Sequence, residues 1–188
     1  MGSTTNFTHF ESVLIPHPYP RVSDLLIAAT AASVKTVVEK NPIASDVEIK
    51  STEPVHISSS SGTPSASNFP TVTTATAELP ANGNRVHFVY VETVPLALGM
   101  TSKVHLTGWY AAPDAGGEGY YSFLAEEGGF AETRVRKVKT LKETEGGAGA
   151  EFWEELEVEC KWFFEWFSKK TAIDTHKKYV ASLPELFE

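Results

Sequence analysis

Cys160 is the only cysteine in the 188-residue chain, so neither an intramolecular disulfide nor a cysteine-built zinc site is available, and a reducing compartment fits best. The six histidines, His9, His17, His56, His87, His105 and His176, never pair at i+2 or i+4, which leaves no local metal-binding motif. Long apolar runs are missing as well. The densest, from Trp162 to Phe167, is far short of the roughly 18 residues of a membrane span. The polar N-terminus lacks the basic segment followed by an apolar stretch that marks secretion, so a cytoplasmic location is expected. Basic charge is scarce: 16 Lys and Arg face 24 Asp and Glu, a formal net charge of -8, which argues against nucleic acid or an anionic membrane as partner, because both need a basic face. The sequence also has no G-x-S-x-G, G-x-G-x-x-G, G-K-[ST] or H-E-x-x-H signature. The common hydrolase, nucleotide-binding and zinc-protease readings fall with them, and no cofactor is expected.

What is present suits one globular domain over residues 1–188, with 41% hydrophobic and 21% charged residues. Residues 7–15 alternate as a strand, with Phe7, Val13 and Ile15 on one face and Phe10 and Leu14 on the other. Ser23 is placed to cap a helix in which Ile27, Ala31, Val34 and Val38 recur at helical spacing until Asn41-Pro42. Short strands are expected at 47–51 and 71–79, and the serine-rich stretch between them makes 57–70 a flexible loop by composition. Five stronger strands follow at 85–94, 102–111, 119–126, 130–141 and 151–161, joined by glycine- and proline-bearing turns, which predicts an antiparallel meander.

The last strand carries the clearest parity. Phe152, Leu156, Val158 and Cys160 share one side; Glu155, Glu157 and Glu159 share the other. At Trp162 the period changes from two to 3.6, predicting a helix to Leu183, stopped at Pro184. On a helical wheel Phe164, Phe167, Ser168, Thr171, Thr175 and Tyr179 gather on one side, with Lys169, Lys170 and Lys177 opposite. Small hydroxyl residues in the middle of an inward face would leave a core unfilled, which points to a cavity. The alternative is that Ser and Thr bond back to their own helix and the sheet presses closer.

The order strand, helix, curved antiparallel sheet and long C-terminal helix resembles the helix-grip fold of START-like domains, an α+β class. The stretch from Asn84 to Tyr179 is most similar to a fungal group of START-like proteins, through the segment Glu155-Leu156-Glu157-Val158-Glu159-Cys160-Lys161-Trp162 and the segment Phe167-Ser168-Lys169-Lys170-Thr171 with His176. The resemblance implies a deep pocket between sheet and helix for a polyketide, lipid or other hydrophobic metabolite. Some START-like relatives only carry such ligands, and others are polyketide cyclases, including fungal ones that close a pyrone ring.

Polar residues on otherwise apolar strands are the candidates for chemistry. Glu154 shares parity with the inward side of the last strand; a buried carboxylate either ionises beside a partner, such as Arg134 or Arg136, or has its pKa raised into the range of a general acid or base. His87 and His105 are candidates for proton transfer, with surface positions as the alternative. Tyr90 and Arg134 are candidates for steadying a carbonyl oxygen. Phe88 and Glu92, with the six residues of the helix face, are expected to touch ligand. Together these give a cofactor-free cyclase as the leading expectation and a non-catalytic carrier as the alternative. The run Trp162 to Phe167 exceeds what one helix face can bury, which leaves Trp166 for a loop, a second subunit in a homodimer, another protein, or the ligand mouth.

Overall fold

The chain is described by a computed structural model at residues 4–58, 63–95, 100–114, 120–128 and 132–188. Eight strands form one antiparallel sheet: β1 (Thr4–Ile15), β2 (Ala44–Ser58), β3 (Thr71–Thr74), β4 (Gly83–Pro95), β5 (Thr101–Pro113), β6 (Tyr120–Gly128), β7 (Thr133–Glu143) and β8 (Ala150–Lys161), in the spatial order β1-β8-β7-β6-β5-β4-β2-β3. Helices α1 (Tyr19–Leu26) and α2 (Ala31–Glu39) join β1 to β2, and α3 (Glu165–Ser182) follows β8. The curled sheet holds α3 in its concave side, which is the helix-grip architecture. The meander expected from the turn residues is present as β4 to β8. The parts of those turns at 96–99, 115–119 and 129–131, including the first residues of the strand expected from 130, lie outside the described residues.

Period-two patterning decides which residues face inward. On β8 every second residue from Ala150 to Cys160 is buried, and the register Lys139↔Glu154 and Val13↔Phe152 carries that face across β7 and β1. The other face of β8 carries Glu155, Glu157 and Glu159, as alternation requires.

One helix was expected from Ser23 to Asn41; the chain makes two. Ser23 lies inside α1, whose N-cap is Pro18. The break falls at Thr30, whose hydroxyl accepts from the Ser33 amide at 3.1 Å while the Ser33 hydroxyl accepts from the Thr30 amide at 3.2 Å. This reciprocal capping box satisfies the free amides of a new helix start more fully than continued winding through the alanine run would. The two helices seal one end of the curled sheet. Val22, Leu26, Ile27 and Val37 pack with Phe152, Tyr179, Val180 and Leu183, so α3 is anchored by its C-terminal half. Tyr110 donates to the carbonyl of Leu26 at 2.7 Å and ties the sheet to the end of α1. The final helix starts later than expected, after a 3-10 turn at Trp162–Phe164, and a second 3-10 turn, Leu183–Phe187, carries Pro184 in its first turn, where proline is compatible with tight helix.

Of the described residues in the loop expected at 57–70, 63–70 have no regular structure and the first two belong to a strand. Ile57 and Ser58 continue β2, which runs well beyond the expected 47–51, while β3 stops at Thr74 rather than at 79. Past the serines, Ala66 is fully buried, its amide donates to Glu155 at 3.2 Å, and the Phe69 ring sits edge-on to Trp109 and Phe123. Composition missed this because one aromatic anchor outweighs several polar neighbours. The result is a small outer core of Val55, Ile57, Ala111, Phe123 and Val138 on the convex face, covered by Phe69 and Val72.

Phe69 therefore clamps this segment to the sheet, with Arg136 stacked over its ring. Phe69→Ala is expected to destabilise the protein by about 2 kcal/mol, read as a lower urea midpoint, and to speed proteolysis within 57–70.

Candidate active site

Between α3 and strands β4 to β8 lies a cavity of about 480 Å³, within the range of sites that enclose a small molecule. Helix α3 contributes Phe167, Ser168, Thr171, Thr175 and Tyr179 and the 3-10 turn before it Phe164, the face expected from the wheel, together with Phe163 from the same turn and Ala172 and His176 from α3. The small residues stand between aromatics above and Tyr179 below, so the space opposite them stays unfilled. The sheet contributes mostly aliphatic wall, including Val104, Leu106, Val135, Leu156 and Val158. Gly108 faces the same side next to Phe88 and Glu126. A Cβ there would come within 2.8 Å of the Phe88 ring and 3.0 Å of the Glu126 side chain, so its absence is what lets both stand inward. Phe88 itself packs beneath the wall with Val86, Tyr110 and Leu124 and does not line the space.

Polar groups concentrate at the sealed end, beside α2 and the C-terminal half of α3. Glu154 is fully buried, as its parity required, but its partners are not the expected arginines. His176 Nε2 lies 3.0 Å from one carboxylate oxygen, Lys137 Nζ 3.7 Å from the same oxygen, and Lys139 Nζ 3.8 Å from the other. Arg134 and Arg136 project from the opposite face of β7 and are exposed. Burial alone would raise the Glu154 pKa, but Lys137, His176 and Lys139 hold it down at about 2. It is therefore a fixed anion rather than a base at neutral pH. Burial pulls Lys139 down to about 8 against the attraction of Glu154. Burial also works against the Lys137 ammonium, yet Glu154, Glu126 and Glu92 together hold its pKa above the ordinary lysine value. The part of Lys137 that remains accessible faces the cavity.

Above this cluster Tyr90 donates toward two carboxylates at once, Glu126 Oε1 at 2.9 Å and Glu92 Oε1 at 3.2 Å, and Asn41 Nδ2 donates to Glu92 at 3.2 Å. A phenol carries one proton, so it fully serves only one of them. Burial first, and the neighbouring Glu126 second, push the Glu92 pKa up to about 7. All four residues line the cavity. Glu92, expected only as a ligand contact, thus has the titration range of a general acid or base.

His87 and His105 are corrections. Both lie on the convex face, opposite in parity to Phe88, Tyr90 and Leu106. His87 Nε2 is 2.8 Å from Glu53, which also holds Arg85, and His105 is exposed. Arg134 is equally remote from the cavity. Sequence reasoning passed over Lys137, Lys139, Glu126 and His176 as site residues. For the lysines a signal existed in Val135-Arg136-Lys137-Val138-Lys139-Thr140-Leu141, where Val135 and Leu141 set the inward parity that Lys137 and Lys139 share. Charge on both faces hid it. Among the described residues no group of three or more His, Cys, Asp or Glu is placed to hold a metal.

Removing the Glu154 carboxylate would strand two buried ammonium groups. Glu154→Leu is expected to cost about 3–5 kcal/mol in a urea melt, and adding Lys139→Met to recover a large part of that loss. Glu92 behaves oppositely. Its proton is held by folded and unfolded chains alike below about pH 4.5, but between there and about 7 only the folded chain keeps it, so this group's contribution to stability falls as pH rises through that window. Glu92→Gln should therefore stabilise the protein at pH 8 relative to its effect at pH 4.5, by up to about 3 kcal/mol, as the difference between urea midpoints.

No family model matches the sequence, and no curated protein matches it. Similar solved structures share little sequence with it. A protein of Thermus thermophilus is 15% identical with a TM-score of 0.49, over 97% of this chain and 95% of that one. Norcoclaurine synthase from Thalictrum flavum, solved with dopamine and hydroxybenzaldehyde, is 9% identical with a TM-score of 0.47, over 96% and 88%. Ara h 8.0201 is 15% identical with a TM-score of 0.42, over 95% and 99%.

Proposed function

We propose that the chain is a cofactor-free acid–base catalyst that closes a ring, such as a pyrone, on a small hydrophobic polyketide-like molecule held between sheet and α3. The observation that carries the reading is Glu92, a carboxylate titrating near neutrality in a cavity wall, hydrogen-bonded to Tyr90 and facing the same space as the Lys137 ammonium. A carrier needs only an apolar wall with a few orienting groups. It has no use for a carboxylate poised at its pKa beside a fixed cation.

The chemistry follows from these groups. The ionised Glu92 takes the proton of a substrate enol while the curled sheet holds the enol oxygen against an electrophilic carbonyl carbon of the same molecule. A carbon–oxygen bond forms, and the negative charge passing to the carbonyl oxygen is met by Lys137. The bond from that carbon to its ester or thioester leaving group then breaks as the carbonyl re-forms, and the proton on Glu92 goes to the departing alcohol or thiol, so no net proton is gained or lost by the protein. Orientation inside the cavity adds to the rate by holding the flexible chain in a near-attack geometry. Glu154, by contrast, keeps Lys137 in place.

The test is to incubate reactive poly-keto compounds with the purified protein and follow ring closure. Glu92→Gln is expected to slow the reaction by about a hundredfold or more, whereas His87→Ala and His105→Ala, on the other face of the sheet, retain it. Thr171→Phe, which fills the space, should abolish both turnover and ligand retention with the fold intact by circular dichroism. If the wild type accelerates no candidate while an apolar molecule co-purifies by mass spectrometry, the carrier reading replaces this one.

A further inference from the structure

Helix α3 presents two hydroxyls to the cavity that the chain itself leaves unused. Thr171 and Thr175 line the hollow and are half-buried, and among the described residues neither hydroxyl has a hydrogen-bond partner. A threonine inside a helix ordinarily satisfies its hydroxyl by bonding back to a carbonyl of the preceding turn. Ser182, further along α3, does this, donating to the Tyr179 carbonyl at 2.8 Å, and Ser168 is engaged with the Cys160 side chain. Thr171 and Thr175 stand one turn apart, about 6 Å along the helix axis, between Phe167 toward the mouth and Tyr179 toward the sealed end. The facing wall is aliphatic: the side chains of Val104, Leu106, Val135 and Val158 offer neither donor nor acceptor. The cavity therefore has an apolar sheet side and a helix side with two free hydroxyls.

Any guest that fills the space takes these hydroxyls out of water. A hydroxyl covered by hydrocarbon loses its hydration and gains nothing, whereas one that meets an oxygen keeps a hydrogen bond. We propose that Thr171 and Thr175 are specificity-determining residues that read an oxygen-bearing edge of the guest, so that the cavity selects a chain oxygenated on alternate carbons over a plain hydrocarbon chain of the same length. Resting on the reading of the cavity as a polyketide site, this adds the seat of the rest of the guest. The reactive carbonyl lies by Glu92 and Lys137, the oxygens beyond it run along α3, and the carbon edge lies on the sheet. A chain with an oxygen on every second carbon has one within reach of each hydroxyl however it slides, and a fatty chain has none. A site that hydrogen-bonds an oxygen of its guest discriminates against an analogue lacking it more sharply than an apolar wall discriminates by size.

Two stable probes test the selection, a twelve-carbon alcohol and a twelve-carbon chain carrying hydroxyls on alternate carbons. Neither has a carbonyl, so neither can close a ring, and the binding of each to the intact protein is measured by isothermal titration calorimetry. Thr171→Val/Thr175→Val keeps the side-chain shape and removes both hydroxyls. It is expected to weaken binding of the polyol by about tenfold or more while the plain alcohol binds equally or more tightly, a crossover that a damaged fold would not give. Thr171→Ser/Thr175→Ser, which keeps the hydroxyls, should bind the polyol more tightly than the valine pair does. Equal ratios of variant to wild-type affinity for the two probes would overturn the proposal, because the hydroxyls would then turn back to their own helix once the cavity is filled. So would a polyol that the wild type does not bind. A wild type that shows the crossover but closes no poly-keto ring would remove the cyclase reading and leave the role of the two threonines standing.

Discussion

Glu154 holds the concave side together by being where a carboxylate is hardest to keep. Fully buried on β8, it is the common counter-ion of Lys137 and Lys139 on β7 and of His176 on α3, so one side chain fixes the spacing of two neighbouring strands and of the helix they grip. A buried pair of this kind adds little net stability compared with an apolar replacement, but removing one of its members leaves the others buried without a counter-charge. The position of Lys137 at the cavity wall is a direct consequence. Glu154 sets the lysine's place, and the lysine in turn faces the Glu92 and Glu126 pair whose shared hydroxyl leaves one carboxylate short of a donor.

The hollow above this cluster depends on opposing choices at two positions. On α3 the side chains facing the sheet are small where a filled core would have leucine; on β5 Gly108 withdraws its side chain so that Phe88 and Glu126 can come forward. The sheet still has to keep its curl without a filled interior. Part of the support comes from outside, where Phe69 and Val72 cover a second apolar patch on the convex face and Arg136 lies over Phe69.

The sequence made some of this legible and hid the rest for identifiable reasons. The meander, the change of period at Trp162 and the inward face of β8 follow from alternation, and so did the burial of Glu154 and the helix face of Ser168, Thr171 and Thr175. Parity could not place His87 or His105, because β4 and β5 carry apolar residues on both faces where the outer patch lies. The same effect concealed Lys137 and Lys139, since β7 is cationic on both sides and nothing local distinguishes the pair that meets Glu154. The partner of a buried charge is set by register between strands, here Lys139↔Glu154, and register is a long-range property. Thr30 and Ser33, whose reciprocal caps divide the first helix, were readable in principle but were masked by the helical spacing of Ala31, Val34 and Val38.

The cavity is uneven along its length. Its sealed end is built from α1, α2 and the second half of α3 around charged groups that constrain one another, whereas its outer end is walled by strand ends at Val94, Ser102, Gly128 and Thr133 and by the first turn of α3. Substitutions at the outer end meet fewer interlocked neighbours. Descendants of this chain could therefore come to accept longer, shorter or differently branched guests by altering the rim, while the reactive groups at the base stay as they are.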